Sequence, residues 1–214
     1  MSRAAVRYRA ANGVKAREQR GFTLIELMVV VVIAGLLAAI AVPMFEEGLQ
    51  RNRNLAALES MLAMIASGRS EAVARSTTVT LCPSNDGGVS CSGTDWERGA
   101  ILFEDNGAGN SADRNLDANE EVIRIFGPAG AGVTITSIVA TGSFTNDDGI
   151  VFDRLGGVEE AGSLAICDGR GLEWARALVL NVSGQARLAT DDDDDDIVNI
   201  GDDSGRNLQS GDCQ

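Results

Sequence analysis

From Phe22 to Phe45 the chain is apolar almost without interruption, and this run limits what its N-terminal part can become. A helix of roughly 20 apolar residues, rising about 1.5 Å each, crosses the hydrocarbon core of a bilayer. The residues ahead of the run carry Arg3, Arg7, Arg9, Lys15, Arg17 and Arg20 against one acid, Glu18. Basic flanks stay in the cytoplasm, so the part beyond Pro43 is expected to be exported, on a single inner-membrane span with a periplasmic C-terminal domain. An ordinary secretory signal is cut after its apolar run, at a small-x-small site. Ala38-Ala39-Ile40-Ala41 is a weak version of such a site, and the charged boundary at Gly21 is the better processing point.

Glu26 sits inside this run. A carboxylate in lipid costs at least about 2.5–3.5 kcal/mol, so it calls for a partner or a function. Gly21, Phe22 and Glu26 together resemble the junction of type IV prepilins: a glycine, an aromatic residue and a glutamate four residues later. The resemblance implies cleavage after Gly21 by a membrane-embedded prepilin peptidase and N-methylation of the new first residue, Phe22. A side chain at Gly21 would crowd such an enzyme. The freed ammonium of Phe22 gives Glu26 of a neighbouring subunit an opposite charge to pair with in low dielectric. Gly35 and Pro43 match positions where pilin helices carry helix-weakening residues; Pro43 lacks an N–H and is expected to kink or locally melt the helix.

The chain has 214 residues and a formal charge of −13. Removing residues 1–21 takes away six bases and one acid, so the remainder stands at −18 and contains no lysine. There is no histidine anywhere, which removes the commonest general base and metal ligand. No catalytic residue is assigned, because Ser70 and Ser183 have no histidine for a triad and no carboxylate pair can be placed in a pocket. The acid excess also argues against a broad nucleic-acid surface, which needs lysine and arginine.

Four cysteines, Cys82, Cys91, Cys167 and Cys213, all fall in the exported part, where an even count reads as two disulfides. Three connectivities are open. Asn85-Asp86-Gly87-Gly88 makes a natural turn between Cys82 and Cys91, which favours that pair and leaves Cys167 with Cys213, joining an acidic tail to the domain. Zinc is disfavoured by the spacing and the missing histidine, and no metal or resident cofactor is assigned.

Beyond Pro43 the helix is expected to continue to Arg75, for a total length of roughly 80 Å. Leu55, Leu58, Leu62 and Ile65 recur at helical spacing, with Ala56, Ala66 and Val73 on the same side. Short β-type runs follow: Thr77–Cys82, Ala100–Glu104, Val122–Phe126, Val133–Val139, Gly149–Phe152, Ser163–Cys167, Ala175–Asn181 and Ala186–Ala189, separated by Gly, Asn, Asp and Ser. The alternation in 149–153 and 177–180 suits half-buried strands. The fold class is α+β, a long N-terminal helix packed on an antiparallel β-sandwich-like domain. Its segments are a cleaved leader (1–21), an apolar helix half (22–45), an amphipathic half (46–75), a β-rich domain (76–190) and an acidic tail (191–214).

Gly68-Arg69-Ser70-Glu71-Ala72, then Trp96-Glu97-Arg98-Gly99-Ala100 with Phe103-Glu104-Asp105, then Leu180 to Arg187, look like the GspH/FimT family of minor pilins and pseudopilins. That resemblance implies a low-abundance structural subunit rather than an enzyme: a minor type IV pilin priming assembly or sitting at the tip. The alternative is the equivalent pseudopilin of a type II secretion system. Its partners would be other pilins, the peptidase and an inner-membrane assembly platform.

Some FimT-type proteins bind DNA through a C-terminal Gly-Arg-x-Arg element. Gly184-Gln185-Ala186-Arg187 matches it with Gln185 in place of the first arginine, which loses a guanidinium fork. Arg170 and Arg176 could join Arg187 in a small patch, opposed by the six aspartates that begin at Asp191, or Arg187 could pair with nearby acids. Asp191–Asp196 offers oxygens suited to Ca²⁺, and so do residues 113–121, although there Ala118 stands where a calcium loop needs glycine. Trp96 and Trp174 read as core or interface residues.

Overall fold

The computed structural model describes residues 21–107, 112–139, 149–200 and 206–213. A single helix, α1, runs from Leu24 to Arg75. The strands are β1 (Val79–Pro83), β2 (Ala100–Glu104), β3 (Val122–Phe126), β4 (Val133–Val139), β5 (Ile150–Phe152), β6 (Gly162–Asp168), β7 (Arg176–Leu180) and β8 (Ala186–Leu188). Residues 1–20 of the expected leader lie outside the described residues. The chain divides into two compact units, 1–44 and 45–214.

The described part of the first unit is the apolar half of α1. Every residue of it is exposed, from Leu24 at 77% to Met44 at 69%. Mean hydropathy over its most apolar window is 2.8, enough in length and composition to cross a membrane. The helix continues past Pro43 without a break, so the local melting expected there is not present in the free chain.

The second unit has two antiparallel sheets, ordered β3-β2-β1-β5 and β4-β6-β7-β8. Leu58, Met61, Ile65 and Ala72 of α1 meet Leu81, Leu102 and Phe152 of the first sheet and Ile166, Leu178 and Leu180 of the second in one core. Buried positions on the helix are Asn54, Ala57, Leu58, Met61, Met64, Ile65, Gly68 and Ala72. The core-facing stripe is therefore turned from the one expected, since Leu55, Ala56, Ala66 and Val73 are exposed. Two residues that do not look like core residues decide the turn. Asn54 donates from Nδ2 to the Ile166 carbonyl and to Asp168 at 3.1 Å. Gly68 lies under the Phe152 ring, so that an added Cβ would come within 2.5 Å of it.

The strands expected to be half buried are covered on both faces: Ala177, Leu178, Val179 and Leu180 are all buried, as are Ile150, Val151 and Phe152. The first sheet turns Cys82, Ile101 and Phe103 away from the helix, under Cys91 and Leu116. The second turns Ala165, Ala177 and Val179 toward Ile197, Val198, Ile200 and Leu208. The stretch expected as an acidic tail is thus no separate segment at residue 191, because Ile200 and Leu208 belong to the domain's packing. Each covering segment is held by a disulfide, Cys82 to Cys91 and Cys167 to Cys213.

Two outcomes can be measured on the purified domain. Opening Cys167–Cys213, which closes 46 residues, should cost about 4 kcal/mol, against about 2.6 kcal/mol for the 9-residue Cys82–Cys91 loop. Denaturant titration of the two serine double variants gives the order, and a larger loss for the short loop would contradict it. Gly68→Ala should destabilise by about 1–3 kcal/mol through overpacking against Phe152, despite alanine's better helix propensity, and a rise in Tm would contradict this.

Candidate functional site

At the N-terminus the local geometry follows from Thr23. Its Oγ1 accepts the Glu26 N–H at 3.3 Å and its carbonyl accepts the Leu27 N–H at 3.2 Å, so Thr23 caps α1. The Thr23-x-x-Glu26 spacing is that of a capping box, a signal the reading of the junction passed over. Glu26 stands in the first turn, where a negative charge suits the helix dipole. It is exposed, and among the described residues its carboxylate makes no ion pair. Phe22 is 83% exposed. A Cβ on Gly21 or Gly35 would meet nothing within 4 Å, so neither glycine is required by packing within this chain.

Of the three arginines considered for a patch, Arg170 and Arg176 line one hollow and Arg187 is not part of it. Arg170 is held by Asp168, donating from Nε at 2.9 Å and from Nη2, and it lies over the Trp174 ring at 4.8 Å. Arg176 shares the helix-facing side of β7 with Leu178 and Leu180, both in the core that contains α1. Arg187 stands opposite Val179, which belongs to the packing on the other side of the sheet. Two-residue periodicity therefore sends Arg176 and Arg187 to opposite faces. Arg187 also makes no ion pair among the described residues, so the expected pairing with nearby acids is not formed. Gly184 is there for backbone reasons: its φ is +72°, and a Cβ would collide with the Gly156 carbonyl oxygen.

The aspartate run folds around its first member. Asp191 accepts the backbone N–H groups of Asp194 and Asp196, each at 2.9 Å. Burial works against its charge, but these bonds prevail and its carboxyl titrates below the ordinary value. Asp193 is shifted upward by burial and by Asp195 beside it. Carboxylate oxygens of Asp191, Asp193 and Asp195 lie within 4.8 Å of one another, the one convergent acidic set among the described residues. In the 113–121 loop the acids serve the backbone instead: Asp113 accepts the Asn115 N–H, and Glu120 accepts those of Asn106 and Asp117.

Among the described residues, two concavities are large enough to hold a ligand. A groove of about 770 Å³ runs along α1 beside the β7–β8 turn, lined by Leu62, Ala66, Val73, Gly184, Gln185 and Ala186. A hollow of about 300 Å³ is lined by Arg51, Arg170, Trp174 and Arg176, with Leu188 and Val198. Trp96 is core, 2% exposed, whereas Trp174 is a surface residue at 48%.

The sequence model of the family described as type II transport protein GspH matches residues 57–184, and that of the prokaryotic N-terminal methylation motif matches residues 16–42. The chain belongs to the GspH family. It is 30% identical over 135 residues to a fimbrial protein of Pseudomonas aeruginosa, spanning 61% of this chain and 82% of that one. It is 39% identical over 80 residues to the type IV narrow pilus major component PilA5 of Thermus thermophilus, spanning 36% and 68%. The type IV minor pilin FimU of Pseudomonas aeruginosa has a similar fold, with a TM-score of 0.51 and 19% identity over 77% of this chain and 98% of FimU. This GspH-family subunit therefore has the helix-and-sheets architecture of a minor pilin, and its apolar helix fits membrane anchoring.

The Asn54–Asp168–Arg170 cluster ties α1 to β6 and generates a pH dependence. Burial opposes the Asp168 charge, while hydrogen bonds from Arg170 and Asn54 outweigh it and lower the carboxyl below its ordinary value. Its contribution should be complete above the unfolded-state value of 3.8 and fall away as pH drops through the lower native value. Asp168→Ala should cost about 3 kcal/mol at neutral pH. Melts from pH 7 downward should show the gap to the native protein closing below about pH 4, and a constant gap would contradict the assignment.

Proposed function

We propose that this chain is a minor subunit of a type IV pilus that primes assembly or sits at the filament tip. The observation that carries the reading is the exposed apolar half of α1, opening on a capped Glu26 whose carboxylate has no ion-pair partner among the described residues. Exposed apolar surface of that extent is stable only in lipid or against other helices. A subunit that waits in the inner membrane and then enters a helical filament core meets both conditions in turn. Cleavage between Gly21 and Phe22 by a prepilin peptidase creates an ammonium at Phe22. In the filament, that ammonium or its methylated form pairs with Glu26 of a neighbour; the globular domain stays on the periplasmic side until export. An inner-membrane platform is the expected assembly partner. The fimbrial relative and the FimU-like fold support the pilus, and the minor role follows from the family resemblance.

The second reading is the corresponding pseudopilin of a type II secretion system, favoured by the description of the matched GspH family. Deleting the gene and scoring surface pili, motility and exoprotein secretion in parallel separates the two. Lost secretion with normal pili would transfer the role to the secretion machine.

Glu26→Ala should leave processing intact while reducing incorporation into sheared filaments at least about tenfold, since an unpaired ammonium would remain in the core. Gly21→Val should block processing and retain the basic leader. Normal incorporation of Glu26→Ala would overturn the pairing.

A further inference from the structure

The hollow around Trp174 combines cationic and aromatic side chains. Arg170, in its wall, is neutralised by Asp168. Arg51 and Arg176 are different: among the described residues neither side chain makes an ion pair or a hydrogen bond. Glu173 is the one acid in the wall, and Glu47 is near enough to act on Arg170. In a chain whose part beyond residue 21 carries −18, two unpaired guanidiniums sharing one concavity with an exposed indole form a local cationic seat. Guanidinium forks match phosphate oxygens, and an indole with one apolar face settles at the level of lipid headgroups.

Its place along α1 selects among phosphates. Arg51 follows Phe45, the end of the exposed apolar run, by six residues, or about 9 Å of helix. The headgroup layer beyond the hydrocarbon is roughly 5–8 Å deep. Helical side chains lean toward the N-terminus, so Arg51 leans back toward the apolar end, as a snorkelling arginine does. A polyanion such as DNA would lay many phosphates across a strongly acidic domain, whereas a headgroup presents one.

We propose that Arg51, Trp174 and Arg176 seat the phosphate of an anionic phospholipid and hold the exported domain down on the bilayer until the subunit enters a filament. This rests on the membrane-anchored reading above. Each free arginine contributes about five-fold to partition toward an anionic surface.

The test uses the full chain reconstituted in vesicles of phosphatidylcholine, with and without phosphatidylglycerol. Acrylamide quenching of Trp174 is taken as the difference between the native protein and Trp174→Phe, which removes the signal of buried Trp96. Quenching should fall at least about two-fold on the anionic vesicles. Arg51→Gln/Arg176→Gln should quench equally on both, with unchanged thermal unfolding, while Arg187→Gln on the opposite face keeps the protection. Equal quenching of the native chain on both vesicles overturns the proposal, and so does protection that survives in the double variant. Protection of Trp174 by a short duplex DNA but not by phosphatidylglycerol would reassign the hollow to nucleic acid. Failure of the native chain to float with either vesicle would overturn the membrane reading as well; flotation without protection would overturn the headgroup seat alone.

Discussion

The domain depends on covering the outer faces of its two sheets. One helix can cover only the inner faces, and strands such as β2, β6 and β7 carry apolar side chains on both sides. Among the described residues there is no second α-helix to lay over them, so irregular segments do the work. Such segments have little secondary-structure hydrogen bonding of their own and must be ordered by other means. Here those means are two disulfides and acid side chains that accept backbone N–H groups, at Asp86, Asp105, Asp153 and Asp191. The abundance of aspartate in a protein with so few cations thereby acquires a structural meaning. Many of these carboxylates stand where a helix or strand would have supplied a carbonyl.

The same economy explains why the two halves of α1 behave so differently. Residues 54–72 carry a stripe narrow enough to fit between sheets, and it includes Asn54 and Gly68 because the site demands a hydrogen bond and a gap. The residues up to Phe45 carry no stripe at all. They are apolar on every side, as a segment that faces lipid must be. Thr23 makes the helix start cleanly, and the Glu26 carboxylate suits that place because it sits at the positive end of the dipole.

Much of this was legible in the residues. Gly21, Phe22 and Glu26 have a spacing with a processing logic. The switch from helical to two-residue period after Arg75 marks the helix end, and the apolar runs located all eight strands to within about two residues. The covering of the outer faces was not legible. Leu116, Ile200 and Leu208 are isolated apolar residues in polar stretches, and no local period tells an isolated leucine in a loop from a buried one. The rotated helix stripe was hidden for a related reason: Asn54 and Gly68 are core residues only because Asp168 and Phe152, far along the chain, come to lie against them.

Sequence by itself determined the class of the molecule: a basic N-terminal stretch, a membrane-length helix with one carboxylate at a fixed offset, and an α+β domain with paired cysteines. These are properties of composition and spacing, which act locally and survive in any conformation. Tertiary structure alone decided which cations are free. Arg170, Arg176 and Arg187 are equivalent as letters, but strand register sends Arg187 to one face and Arg176 to the other. Asp168 takes up the charge of Arg170. Arg51, from a helix more than a hundred residues earlier, joins Arg176 across a hollow that exists only once the sheet has closed on the helix.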